Sequence, residues 1–381
     1  MHAHAPLNER LASIDALRGL VMLLMLVDHV REFFYLHQQV SDPMLIGSTP
    51  PALFFTRFTS HFCAPVFVLL TGLGAWLHGS KAGRTRGQTA AYLAGRGLLL
   101  IALELSVVSY AWSFGYPPEM FYLQVIWAIG LSMLALAALL WLPRTLQVAL
   151  ACLILCGHNA LDGIHLAHDA PGFIPWAILH DRSVIDVGFG IKARSSYPLL
   201  PWIGIILLGY TLGAWYGPGI EPRARQRRLL AAGGAALAGF AVLRVVNTYG
   251  DQPWGAGDTS LQTLMSFLNL TKYPPSLQFS LLTLGAGLAM LAWLERVRPW
   301  RRLAEIGSVP MFFYIAHLYA LHLLYLLLAA VFGPNQGTRY GLGAVWQIWA
   351  LSVPAALAMY WPCRWFARIR RGSSAAWIRY F

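Results

Sequence analysis

Six ionisable residues crowd one apolar run near the start of the chain: Asp15, Arg18, Asp28, His29, Arg31 and Glu32. Such groups are expensive to bury in a membrane-length apolar stretch, so each is a candidate functional residue until a structural duty is found for it. On a helix, Arg18 and His29 stand about 16 Å apart along the axis and return to nearly the same face. Asp15 shares that face, while Asp28 points about 100° away from His29. His61, with Arg57 one turn before it, opens the next apolar run in RFTSHFCAPVFVLLTG. Histidines set among carboxylates and arginines at such a cost are suited to moving protons, with His29 and His61 as the candidate groups. The bland alternative is that these side chains only make interhelical hydrogen bonds.

His317 and His322 lie in VPMFFYIAHLYALHLLY. Five residues apart, they do not share a helix face, so a two-histidine metal site on this helix is not expected. His317 is expected to face the bundle. A loop holds Asp162, His165, His168, Asp169, His180, Asp181 and Asp186. A metal site can be drawn from DGIHLAHD, but loop clusters of this kind are usually solvated, and no metal is expected. TKYPPS places Lys272 and Tyr273 at a helix mouth, as interfacial anchors or substrate contacts. SSYPLLPWIG places Tyr197 and Trp202 similarly, and its proline and glycine predict a broken or re-entrant helix lining a cavity.

These residues need a scaffold, and the composition says which. The 381 residues are 57% hydrophobic and 12% charged, with mean hydropathy +0.54. A soluble protein carries roughly twice that charge. The expected fold is an all-α integral membrane protein of about ten transmembrane helices, forming a single polytopic domain over 1–381. Runs of about 20 apolar residues fall near 14–36, 56–78, 91–111, 119–142, 145–160, 198–216, 229–247, 275–294, 308–331 and 341–362. The first run follows Arg10 and Arg18, lacks a small-residue cleavage site, and is expected to be retained as a helix.

Lysine and arginine set the orientation. Arg10 and Arg18, Lys81 with Arg84 and Arg86, Arg144, Arg223 to Arg228, Arg296 to Arg302, and Arg364 to Arg379 all fall on one side for ten spans. Both termini are therefore expected to be cytoplasmic, with a basic tail over 363–381 against anionic lipid headgroups. The longest outer-side loop is 161–197. The net charge of +12 sits in clusters between apolar runs, without the polar, aromatic-interleaved surface of a nucleic-acid binder. The four cysteines, at no metal spacing, imply neither a disulfide framework nor a zinc site.

The runs SIDALRGLVMLLMLVDHVREFF, HFCAPVFVLLTG, GHNALDGI, YPLLPWIG, TKYPPSL and VPMFFYIAHLYALH together resemble bacterial members of the heparan-α-glucosaminide N-acetyltransferase family. A more distant similarity is to the membrane acyltransferase-3 family, which carries an Arg, ten intervening residues and a His on its first span; here these are Arg18 and His29. The resemblance implies transfer of an acetyl group from cytoplasmic acetyl-CoA to a sugar or glycan hydroxyl or amine across a bacterial inner membrane. By the acyltransferase-3 pattern His29 is the catalytic histidine, as general base or acyl carrier. Acyl transfer needs a base for the acceptor, a donor for the developing oxyanion and close positioning of both substrates. The resemblance therefore implies His29 oriented by Asp28 or a neighbouring carboxylate, His61 helped by Arg57 as second acid/base or oxyanion donor, and Arg18 at a phosphate. By position in the lysosomal family member, Asp28 replaces an asparagine and the active histidine falls nearer His37. Candidate acetyl-CoA contacts are Arg18, Arg57, Lys272 and Tyr273. Candidate acceptor contacts are His158, Asn159, Asp162, Tyr197 and His317. Membrane lipids are expected partners, a homodimer is allowed, and nucleic acid is not expected. The rival reading is a transporter or flippase for a lipid-linked sugar, which would use the polar residues without chemistry.

Overall fold

The computed structural model describes residues 9–297, 300–373 and 378, with side chains from Ala12 onward. Arg298 and Arg379, and the side chain of Arg10, lie outside the described residues, as does most of 363–381 beyond Ser373. In chain order the helices begin with α1 (Glu9–Phe34), α2 (Pro51–Thr59), α3 (Cys63–Gly79), α4 (Arg86–Leu103), α5 (Ser109–Ser113), α6 (Val125–Leu139), α7 (Arg144–Gly157) and α8 (Phe173–Leu179). They continue with α9 (Leu200–Leu212), α10 (Pro222–Val246), α11 (Ser260–Leu268), α12 (Leu277–Arg296), α13 (Arg301–Gly307), α14 (Pro310–Phe332) and α15 (Val345–Gly372).

Among the described residues, six helical stretches are long and apolar enough to cross a membrane: Pro51–Gly79, Arg86–Ser113, Arg144–Leu161, Pro222–Val246, Leu277–Arg296 and Pro310–Phe332. Val125–Leu139 and Leu200–Tyr216 are apolar but shorter. α1 is long enough but carries the charges described above. α15 is long too, but prolines, tryptophans and arginines dilute its apolar character. It exposes Trp346 and Trp349 near its start and Trp361 and Trp365 near its end. The helix also runs on to Gly372, so the first half of the expected basic tail continues the helix.

The chain divides into two compact units. Unit 1 comprises 1–63, 222–234 and 286–381. There α1 packs on α13, α14 and α15. The approach of α1 to α13 depends on Gly19 and Gly307: a Cβ on either would run into the backbone of the other helix. Gly19 faces the Leu303 carbonyl and Gly307 faces that of Asp15, so the two helices touch backbone to backbone.

Unit 2 comprises 64–221 and 235–285. Its main packings are α4 on α6 and α7 on α9. Residues Glu104–Val108 widen the helix into a π turn, which carries the Glu104 side chain to the start of α6. That start has no cap of its own. Glu104 supplies one from outside, its Oε2 accepting the Trp127 N–H at 3.1 Å.

The structure departs from expectation in three places. The expected fourth span starts as a strand, β1 (Met120–Leu123), and becomes helical only at Val125. The 161–197 loop contains α8 and a hairpin of β2 (Val184–Gly188) and β3 (Ile191–Ser195). β3 pairs parallel with β1 and antiparallel with β2. The hairpin turns at Phe189 and Gly190, both at positive φ, as a tight two-residue turn requires. The alternation in MFYL is too short, and too close to an apolar run, to signal a strand. SSYPLLPWIG runs from the end of β3 through a short connection into a plain helix, α9, from Leu200, with proline in its first turn, in place of the broken helix expected there.

Candidate active site

The ionisable cluster of the first helix lies in unit 1, on α1, α2, the 3-10 turn Ser60–Phe62, and α14. Its centre is an imidazole pair. His29 Nδ1 lies 2.6 Å from His317 Nε2, and both rings are buried. The ring planes differ by 4° and the centroids stand 4.9 Å apart. That separation equals the N···N distance plus one ring radius at each end, so the rings meet edge to edge in a common plane. They are not stacked face to face. Tyr314 presents its edge to both rings.

The tautomers follow from the next bond. His317 Nδ1 lies 2.8 Å from the carbonyl of Phe313, and a carbonyl can only accept, so Nδ1 carries the proton. Neutral His317 then offers Nε2 as an acceptor, and His29 must donate Nδ1–H to it. The lone pair of His29 is thereby placed on Nε2, as a general base requires. The sequence places His317 on the bundle face but gives no sign of this pairing, because the two residues are 288 positions apart.

Asp28, expected to orient His29, has other work. It accepts from Arg31 Nε at 3.0 Å and from Arg57 Nη1 at 2.6 Å. Arg57 also donates to Ser60 Oγ at 3.0 Å, and Arg31 to Glu32 at 3.0 Å. Arg57, expected to meet a coenzyme A phosphate, is 6% exposed, and its guanidinium is committed to a buried carboxylate. The orienting partner of His29 is therefore His317, and Arg57 pins α2 to α1. His61 sits in the 3-10 turn, 1% exposed, against Phe58. His37 is exposed in the loop after α1, against Tyr35. Arg18 pairs with Asp15 at 2.7 Å and is partly exposed.

The remaining candidates lie in unit 2. Lys272 is 3% exposed in a tight turn bridged to Pro275, its ammonium 5.2 Å from the Tyr273 ring. Arg182 covers the same ring at 4.9 Å, and the Tyr273 hydroxyl donates to that of Tyr197 at 3.2 Å. Asp251, absent from the candidate set, organises this turn. It accepts from the hydroxyls of Thr271 and Ser276 and from the Thr271 N–H. Burial raises its carboxyl above the usual aspartate range, against those hydrogen bonds, which act to lower it. Asn159 holds the Leu277 N–H at 2.8 Å and Asp162 at 2.8 Å. His158 is 2% exposed.

A family model described as "Heparan-alpha-glucosaminide N-acetyltransferase, catalytic" matches residues 10–243. The chain belongs to this family. The match takes in His29, Asp28, Arg57, His61 and the His158–Asp162 turn, and stops before Lys272, Tyr273 and His317. No curated protein matches the chain. As a member of the heparan-alpha-glucosaminide N-acetyltransferase family with six apolar helices of membrane-crossing length among the described residues, the protein is by family a membrane acetyltransferase.

Proposed function

We propose that the protein transfers an acetyl group from acetyl-CoA to an amine or hydroxyl of a sugar or glycan across a bacterial inner membrane, with His29 as general base. The observation that carries this reading is the hydrogen-bonded series Phe313 carbonyl, His317, His29. It fixes the tautomer of a buried imidazole on the family's first helix. In this scheme His29 Nε2 takes the proton of the acceptor as its nitrogen or oxygen attacks the thioester carbonyl. The new bond to the acetyl carbon forms, the carbon–sulfur bond breaks, and the thiolate of coenzyme A leaves with the proton held by His29. His317 stabilises the transient imidazolium by accepting its Nδ1–H, a bond that strengthens when the donor is charged. His61 is the proposed donor to the oxyanion.

Arg18 is the proposed phosphate contact on the cytoplasmic side. The test is release of free thiol from acetyl-CoA by purified protein offered a panel of amino sugars. Release that requires an acceptor and is lost in His29→Ala supports the scheme. Acetyl-CoA left intact with every acceptor, while a lipid-linked sugar crosses vesicles, would establish the transporter reading. Full activity in His29→Ala together with an inactive His37→Ala would move the base to the loop after α1.

A further inference from the structure

We propose that His158, Asp162 and His180 form a site for a divalent transition-metal ion of the zinc type. One ring nitrogen from each histidine and one carboxylate oxygen of Asp162 all lie within 4.8 Å of one another. Two imidazoles and a carboxylate are the mixed nitrogen and oxygen donors that zinc takes, with a fourth position left for water. The independent observation is His158 itself. It is 2% exposed, and neither of its ring nitrogens makes a well-aligned hydrogen bond, the contact with the Pro275 carbonyl being a poor one. Burying an imidazole so weakly satisfied is costly, and a bound cation removes that cost at one nitrogen.

The surroundings resemble the supporting shell of a metal site. Asn159 Nδ2 donates to Asp162 Oδ2 at 2.8 Å, which leaves Oδ1 facing His180 Nε2 at 3.5 Å. His180 is fixed by its ring stack on Trp176; its Nε2 also lies 2.9 Å from the His158 carbonyl, a contact that zinc at Nε2 would replace. Tetrahedral zinc, with bonds of about 2.0–2.1 Å, places its donors roughly 3.4 Å apart. The exposed Asp162 side chain can supply the closure. A cation here would tie the end of α7 to the segment after α8, and through Asn159 to the first turn of α12. Burial also keeps His158 from touching an arriving sugar, so this duty replaces the acceptor contact expected of it. The neighbouring histidines of DGIHLAHD are otherwise engaged: His165 pairs with Asp181 at 3.2 Å, and His168 lies against Phe173.

The inference does not depend on the acyl-transfer reading, and its test measures metal. Protein purified without a histidine tag is stripped with a chelator and titrated with zinc chloride, and separately with cobalt(II), whose visible absorption reports coordination geometry. The expected result is about one zinc per chain bound at micromolar concentration, with a rise in thermal midpoint. His180→Ala and Asp162→Asn should weaken binding at least about 10-fold, while His165→Ala and His168→Ala bind as the unaltered protein does. Absence of stoichiometric zinc from the unaltered protein would overturn the proposal, as would undiminished zinc in both His158→Ala and His180→Ala.

Discussion

Replacing His317 separates a positioning role from simple packing. A hydrogen bond to a charged group is worth about 1.5–3 kcal/mol and one between neutral groups about 0.5–1.5. His317 therefore favours the imidazolium of His29 over the imidazole by roughly 1–1.5 kcal/mol, or about tenfold in rate. Without it, the Nδ1–H and Nε2–H tautomers of His29 compete, which adds a further few-fold loss. His317→Ala should thus lower kcat by about 10–100-fold, leaving KM for acetyl-CoA near its original value. Glutamine can reproduce both bonds, its oxygen accepting from His29 and its amide nitrogen donating to the Phe313 carbonyl. His317→Gln should restore most of the activity. Thiol release under saturating acceptor gives kcat, and thermal midpoints in detergent confirm that both variants fold. Full activity in His317→Ala, or equal losses in the two variants, would refute the tautomer argument.

His29→Ala should lower turnover by roughly 10²–10⁴-fold, the usual range for a lost acid or base, with acetyl-CoA binding by calorimetry unchanged. Asp28→Asn leaves two buried guanidiniums short of their carboxylate and should cost about 3 kcal/mol or more in chemical denaturation; a cost under 1 kcal/mol would mean the pair is hydrated. Glu104→Ala should cost about 1–2 kcal/mol through the lost cap on α6, and Glu104→Gln less, since the amide oxygen can still accept. Because the folded carboxyl of Asp251 titrates above the unfolded one, its ionisation opposes folding as pH rises through the folded value. The thermal midpoint of Asp251→Asn relative to the unaltered protein should therefore rise as pH rises through the folded value and fall back as pH drops to the usual aspartate range; a difference independent of pH would contradict the burial argument. Cysteines placed beside Lys81, Arg144, Arg225 and Arg301 should resist an impermeant reagent in intact cells while one in 161–197 reacts. Labelling of both sets would overturn the orientation.

The helical regions were legible because membrane-length apolar runs announce themselves by composition. Each of the ten expected runs overlies a helix for much of its length, six of them long and apolar enough to cross by themselves. The cost of burying charge also drew attention to α1, where Asp28 meets Arg57. Partner choice was less legible. Helical spacing reports which residues share a face, but not which residue of a distant helix comes to meet them, so His317 was placed without its partner. Glu104 went unnoticed because one carboxylate in an apolar run looks like a boundary, and its duty arises from a π turn that residue type does not signal. The sheet was hidden because its parallel pair joins segments far apart in the chain.

The tryptophans of α15 bear on the choice of lipid. Trp346 and Trp365 are separated by about 28 Å of helix, close to the roughly 30 Å thickness of a bilayer's hydrocarbon layer. Indole rings settle at headgroup level, so on the ten-span reading, in which α15 crosses the membrane, the two exposed pairs would act as a gauge of membrane thickness built into that helix. Vesicles made from shorter or longer acyl chains would press on that gauge, forcing α15 to tilt or the bilayer to deform. Acyl-chain length then becomes a control on turnover that needs no change in the protein, and a variable to fix before activities in different membranes are compared.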